Sequence, residues 1–488
     1  MPINHVFVLM LENRSYDHML GFSEISGIDA VTGQPTQANG LTGAEANSYQ
    51  GRVYLPTRGA DNVMPVDPPH EFADVLEQLA GPGAQYVSGG AYPSANNSGF
   101  VASYAANGGA NPADVMKCYT PDQLPVLNAL AREFALCDNW HAPMPGPTWP
   151  NRMFVHGASS GGLDHSPTVP EIVQWEAISG FSFPNGTLYE LLENYGIPRR
   201  LYAGDDFPMV AALKGIGLGD VRQFARFADD LQQPEYPYSY VFIEPSYDVF
   251  HEYRSGTSQH PLGDVRRGES LIQQTYEAIR NSPHWNESML IVTWDEHGGF
   301  YDHAAPPAAQ APGDTSPFDN HNKNGFTFEQ YGARVPAVVI SPLIPRNTID
   351  HRLYDHASVP RTVEKLFGLP YLTERDHKAN DLSVLATLSA PRNDTPAKLP
   401  GMMEAAVSAV TSAVVRGVSP PVTRPEDSVD GGNLPAVVHA AMQQHLKAEP
   451  EKREQILERV SRIKTREDAH DYLVEVQRIV KPAAASAH

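Results

Sequence analysis

Residues 289–296 read Met-Leu-Ile-Val-Thr-Trp-Asp-Glu, a short aliphatic run that stops at two adjacent carboxylates. A run of this length and composition suits a strand covered on both faces, as the strands of a parallel sheet are. The acidic pair then falls just beyond the carboxyl end of the strand, where open α/β sheets build their sites. Three further segments share the pattern: residues 6–11 (VFVLML) run into Glu12-Asn13, residues 238–243 (YSYVFI) into Glu244-Pro245, and residues 335–341 (VPAVVIS) into Pro342. Helical spacing lies between them, over 122–134, 268–281 (GESLIQQTYEAIRN) and 358–367 (SVPRTVEKLF), the last ending near Gly368. Strands alternating with helices predict an α/β sandwich, with a central mostly parallel sheet flanked by helices.

Outward from this framework the chain becomes irregular. Residues from about 24 to 110 are rich in Gly, Pro and Asn, and residues 306–326 are loop-like; long loops of this kind more often cover a site than merely connect. Three units are expected: an α/β unit over 1–395 with the loop-rich insertion at about 24–110, a helix and linker over 396–433, and a helical region over 434–488. The helix of the middle unit falls on the small residues 402–415. The charged sequence over 434–481 predicts a helical appendage with a solvated face, or one that joins an oligomer or a partner. No internal repeat is present.

With 488 residues and 41% hydrophobic content the chain can bury a large core. Its net charge of −21 excludes a nucleic-acid scaffold, which needs clustered Lys and Arg, and speaks against docking on an anionic membrane through charge alone. Two cysteines, Cys118 and Cys137, are too few for a disulfide framework and read as buried thiols. The start, Met1-Pro2-Ile3-Asn4-His5, lacks the basic and apolar regions of a signal peptide. No run reaches the ~18 apolar residues of a transmembrane segment. The expectation is a soluble chain, cytoplasmic as written or exported by a route the sequence does not reveal.

The chemistry concentrates in three places. Thr148, in Pro147-Thr148-Trp149-Pro150-Asn151-Arg152, stands at the start of a helical-looking run, where free backbone N–H groups favour an anion such as a phosphoryl group. A hydroxyl there becomes a nucleophile when a divalent metal activates it; as a bland alternative it only caps the helix. Glu12, Asn13, Asp295 and Glu296 follow two central strands and, with Thr148, form an oxygen-rich ligand set suited to one hard divalent cation. Histidines in DPPHEF (His70), SQHP (His260) and DEHGGFYDH (His297, His303) supply groups that can bind a phosphate or protonate a leaving group. Gly298-Gly299 permits a tight turn or close backbone approach beside the acidic pair.

Four motifs in order, ENRSYDHMLG (12–21), PGPTWPNR (145–152), TWDEHGGFYDHAAPP (293–307) and RVPAVVISP (334–342), resemble the bacterial phosphoesterase family. That family holds the non-haemolytic-type phospholipases C and the respiratory-burst-inhibiting acid phosphatases, and lies in the alkaline phosphatase superfamily. The resemblance spans about residues 3–375 and implies an alkaline-phosphatase-like sandwich and a phosphoesterase catalytic domain. It implies a hydrolase with a single metal ion (Ca²⁺, Mg²⁺, Mn²⁺ or Zn²⁺) on Glu12, Asn13, Thr148, Asp295 and Glu296, with Thr148 attacking phosphorus. His70, His260 and His303 match positions expected to contact the phosphate or assist the leaving group. Threonine at the nucleophile position is similar to the phospholipase C members, and serine to the acid phosphatases. A phosphodiester substrate such as a phospholipid is therefore expected first, a phosphomonoester second, and a catalytically silent binding homologue third. The segment also resembles the Cys/Ser-x-Pro-x-Arg of sulfatases, but threonine cannot supply the aldehyde-type residue they form.

Overall fold

The computed structural model describes residues 3–178, 181–216, 218–317, 319–401, 424–430 and 432–484. Ten strands form one sheet. In chain order they are β1 (His5–Leu11), β2 (Ser26–Asp29), β3 (Pro35–Gln37), β4 (Ala135–Cys137), β5 (Arg199–Ala203), β6 (Val221–Gln223), β7 (Tyr240–Glu244), β8 (Ser288–Trp294), β9 (Ala337–Ile340) and β10 (Thr348–Asp350). Their spatial order is β6-β5-β7-β1-β8-β9-β4-β10-β2-β3. The aliphatic runs sit at its centre: β1 lies parallel to both β7 and β8, and every residue of all three strands is buried. That is the double-sided burial their composition calls for.

The sheet is mostly parallel, as expected, with one reversal inside it. Residues 295–336 leave β8 at its carboxyl end and return to the same end, so β9 runs antiparallel to β8 and to β4. The helices expected at 122–134, 268–281 and 358–367 are Pro125–Glu133, Val265–Arg280 and Ser358–Phe367. Within the loop-rich stretch the helices Phe72–Ala80 and Phe100–Ala106 pack Val75, Leu79, Phe100 and Tyr104 into a smaller apolar cluster beside Phe300 and Tyr301. Cys118 and Cys137 are buried free thiols.

The helix expected at 402–415, and most of the linker after it, lie outside the described residues. Beyond them, Leu434–Ala448 is buried along most of its length, because its sequence is mainly Ala, Val, Leu and Met. It packs on the Met209–Ala212 turn, the Val169–Ile178 helix and the Arg466–Ala484 helix. The charged, more exposed faces belong to Arg453–Ser461 and Arg466–Ala484. Among the described residues no helix is long and apolar enough to cross a membrane.

Candidate active site

The register of β1 on β8 pairs Leu11 with Trp294, so the polar residues that follow each strand emerge side by side. The Asn13 N–H donates to Asp295 Oδ1 at 2.9 Å, and the Arg14 N–H to the Glu296 carbonyl at 3.0 Å. Asn13 takes a left-handed backbone, φ 59°, which asparagine tolerates better than most residues. Opposite it, Gly298 has φ 65°, and a Cβ there would lie 2.2 Å from the Asn13 carbonyl oxygen. Gly299 packs as closely on Pro69, where a Cβ would meet the carbonyl oxygen at 2.6 Å. These two glycines let the Asp295 turn, the Asn13 turn and the loop before His70 close on one another.

Thr148 is the first residue of the Thr148–Gly157 helix, which Pro147 enters in extended conformation. Its Oγ1 donates to Asn13 Oδ1 at 3.4 Å. One turn further, Arg152 Nε donates to Asp295 Oδ2 at 3.0 Å, with both side chains buried. Glu12 is held on both oxygens: Ser258 Oγ donates to Oε1 and Asn433 Nδ2 to Oε2, each at 2.8 Å. Asn13, Thr148 and Asp295 are thus joined by hydrogen bonds, with Glu12 and Glu296 as their chain neighbours beyond the ends of β1 and β8. Arg152, Ser258 and Asn433 join them without having been singled out in the sequence. Arg152 stood inside a quoted motif, whereas Asn433 carries no local signal.

Glu12, Asp295 and Glu296 are fully buried. Burial pushes the Asp295 carboxyl well above the usual carboxylate range; Arg152 opposes this, while Glu296 and Glu12 add to it. Glu296 Oε2 accepts from the Gly298 N–H at 2.7 Å, whereas its Oε1 is buried without a partner. Buried carboxylates around one arginine leave negative charge, and an unpartnered carboxylate oxygen is a free ligand. With the Asn13 and Thr148 oxygens they form a donor set that fits a hard divalent cation.

A tighter acidic cluster lies elsewhere. Among the described residues, Asp17, Asp302 and His303 are the group whose ligand atoms all come within 4.8 Å of one another, a spacing that admits a metal ion; Glu12, Asp295 and Glu296 are not gathered that closely. The Arg334 guanidinium already stands among them, donating to Asp302 Oδ1 at 2.9 Å and Asp17 Oδ1 at 3.0 Å. His303 belongs to this network, its Nδ1 at 2.7 Å from Asp17 Oδ2.

The other two histidines flank the Thr148 cluster. His70 Nδ1 bonds the Pro68 carbonyl at 2.8 Å, and Nε2 lies 3.1 Å from the Asn13 amide nitrogen. Burial works to lower its pKa, but the Glu296 and Asp67 carboxylates outweigh that and hold it at about 10. Neutralising Glu296 with a cation would remove part of that pull, and the neutral ring is the form that accepts from the Asn13 amide. His260 stacks on Tyr253, with centroids 3.5 Å apart and planes 8° from parallel, and its Nε2 lies 3.4 Å from Asp67 Oδ2. Asp67 and Tyr253 also line a cleft of about 220 Å³ whose other wall includes Asp427, Leu434 and Arg466 of the C-terminal segment. Each of three tryptophans packs on a different ring: Trp140 stacks on Tyr354, Trp175 meets His321 edge-on, and Trp149 stacks on His439.

The sequence matches the phosphoesterase family over residues 3–370. Non-specific phospholipase C3 of Arabidopsis thaliana is 34% identical over 425 residues, which cover 83% of this chain and 77% of that protein. Phospholipase C B of Mycobacterium tuberculosis is 28% identical over 448 residues, covering 81% and 80%. Among solved structures, a protein of the alkaline phosphatase superfamily from Vibrio parahaemolyticus aligns with 53% of this chain and 64% of its own, at 15% identity and a TM-score of 0.32. A likeness that slight carries no functional argument.

Proposed function

Because the chain belongs to the phosphoesterase family, and is thus a phosphoric ester hydrolase, we propose that it acts as a phospholipase C, cleaving phosphodiesters through a covalent intermediate on Thr148. The observation that carries this reading is the Thr148 hydroxyl at a helix start, in contact with Asn13, which is in turn bonded to Asp295. The names of the relatives favour diesters, and the family's threonine-bearing branch agrees.

In this reading Glu12, Asn13, Thr148, Asp295 and Glu296 would hold one divalent cation, which would supply Lewis-acid polarisation of the phosphate and of the Thr148 hydroxyl. Free N–H groups at the helix start receive the phosphate oxygens. Thr148 Oγ1 forms a bond to phosphorus as the bond to the alcohol oxygen breaks. The departing oxygen takes the Nε2 proton of His260, the ring nitrogen that faces Asp67, since Nδ1 accepts the Leu262 N–H. Water then releases the phosphorylated head group and regenerates Thr148. Arg152 pairs with Asp295 and works against the burial that raises its carboxyl. His303, fastened to Asp17 and Arg334 through Nδ1 and to Asn39 through Nε2, supports the loop after Gly299.

The test is hydrolysis of a chromogenic phosphocholine diester against the matching phosphomonoester, before and after chelation and with divalent metal restored. Faster diester cleavage that is lost on chelation and regained with metal is expected. Dominant monoester cleavage would place the chain with the acid phosphatases, and no turnover of either would favour a silent binding homologue. Diester cleavage that survives chelation would remove the metal from the reaction.

A further inference from the structure

The C-terminal segment lies beyond residues 3–370, which match the family, yet it reaches the middle of the site. Asn433 is the residue from which the Leu434–Ala448 helix starts, and asparagine at that position ordinarily accepts a free backbone N–H with its side chain. Here it makes no such cap. Its amide points the other way and donates to Glu12 Oε2 at 2.8 Å, with both residues buried. Its backbone N–H donates to the Tyr253 hydroxyl at 3.1 Å, and Tyr253 is the ring on which His260 stacks. Further along the same helix, His439 stacks on Trp149, the neighbour of Thr148.

We propose that Asn433 is a positioning residue for Glu12, holding its carboxylate in the orientation that binds the divalent cation, so that the C-terminal helix is one wall of the active site. The inference rests on the reading of Glu12 as a metal ligand. Ser258 and Asn433 each hold one oxygen of Glu12 and together stop the carboxylate from turning. Groups that hydrogen-bond a metal ligand in this way are worth about 10- to 100-fold in metal affinity. The unused helix cap points the same way, because the side chain gives up its local role for a contact with a residue 421 positions away.

Calorimetric titration of the chelator-stripped full chain with Mn²⁺ tests this, using Asn433→Ser, Asn433→Ala and Glu12→Gln, with melting curves in chelator alongside. Serine caps a helix as well as asparagine does but is too short to reach Glu12. Asn433→Ser is expected to bind Mn²⁺ about 10- to 100-fold more weakly than the parent while melting at the same temperature or higher. Asn433→Ala should show the same loss of affinity. Parental affinity in both Asn433 variants, with weakened binding in Glu12→Gln, would overturn this inference alone. Parental affinity in Glu12→Gln would remove Glu12 from the ligand set and the inference with it. A joint fall of affinity and melting temperature in both Asn433 variants would mark the residue as purely structural and overturn it as well.

Discussion

Thr148 stands where a helix has backbone N–H groups without acceptors, and its hydroxyl spends itself on one long contact with Asn13. A 3.4 Å contact contributes little, so losing it should leave the fold nearly untouched. Thr148→Val keeps the branched shape and deletes the oxygen. Its melting temperature is expected to stay within a few degrees of the parent, while turnover of the diester falls on the order of 10³-fold or more. Thr148→Ser should retain turnover. Initial rates beside melting curves check this, and parental rates in the valine variant would end the covalent mechanism. Thr148, Glu12 and Asp295 were legible because each follows a recognisable local pattern, a strand end or a helix start. Arg152, Asp67 and Asn433 were not, since their roles lie in contacts with distant residues. His303 was legible as part of a motif, but the motif does not tell that Asp17 and Arg334 claim its ring.

Elements show the same division between local pattern and distant contact. The amphipathic spacing at 268–281 located a helix, but Asp264, whose side chain accepts from the Arg266 N–H, starts it earlier at Val265. Glu269 looks in sequence like a solvent-facing position and is instead fully buried, accepting the Val126 and Leu127 N–H groups at the start of the Pro125–Glu133 helix. Burial pushes its carboxyl up to about 8, against the lowering effect of those two N–H donors. An acid whose pKa is raised on folding holds its proton in the native state at a pH where the unfolded chain has lost it. Stability from this group therefore falls as pH rises, from its unfolded value near 4.5 to about 8. Glu269→Gln cannot ionise and escapes that loss. Relative to the parent, the glutamine variant should gain on the order of a few kcal/mol between pH 5 and pH 8. Urea unfolding at both pH values measures it, and parallel pH dependence in the two proteins would show that the Glu269 charge is not strained.

At the scale of the whole molecule, the central strands were readable because burial on both faces forces a continuous apolar sequence. Edge strands such as Pro35–Gln37 and Val221–Gln223 are short and mostly polar or exposed, and left no such trace. Charge density made the C-terminal region look like an appendage, because Arg453–Ser461 and Arg466–Ala484 dominate its composition. The Leu434–Ala448 helix before them shares the main core, burying Leu434, Val438 and Met442. Gln444 donates to the Ala211 carbonyl at 3.0 Å, and Asp430 accepts the Val169 N–H at 3.0 Å. We propose that the units expected at 1–395 and 434–488 fold together. Each large apolar side chain uncovered by removing the helix forfeits about 1.5–3 kcal/mol, and Trp149, with the Met209–Ala212 turn and the Val169–Ile178 helix, would lose the cover it provides. A chain ending at residue 401 should then melt at least several degrees lower, bind a hydrophobic dye and lose diesterase activity. Parental melting and turnover in that truncated chain would instead establish the C-terminal helices as an independent unit, and Glu12 would then need no partner from beyond residue 401.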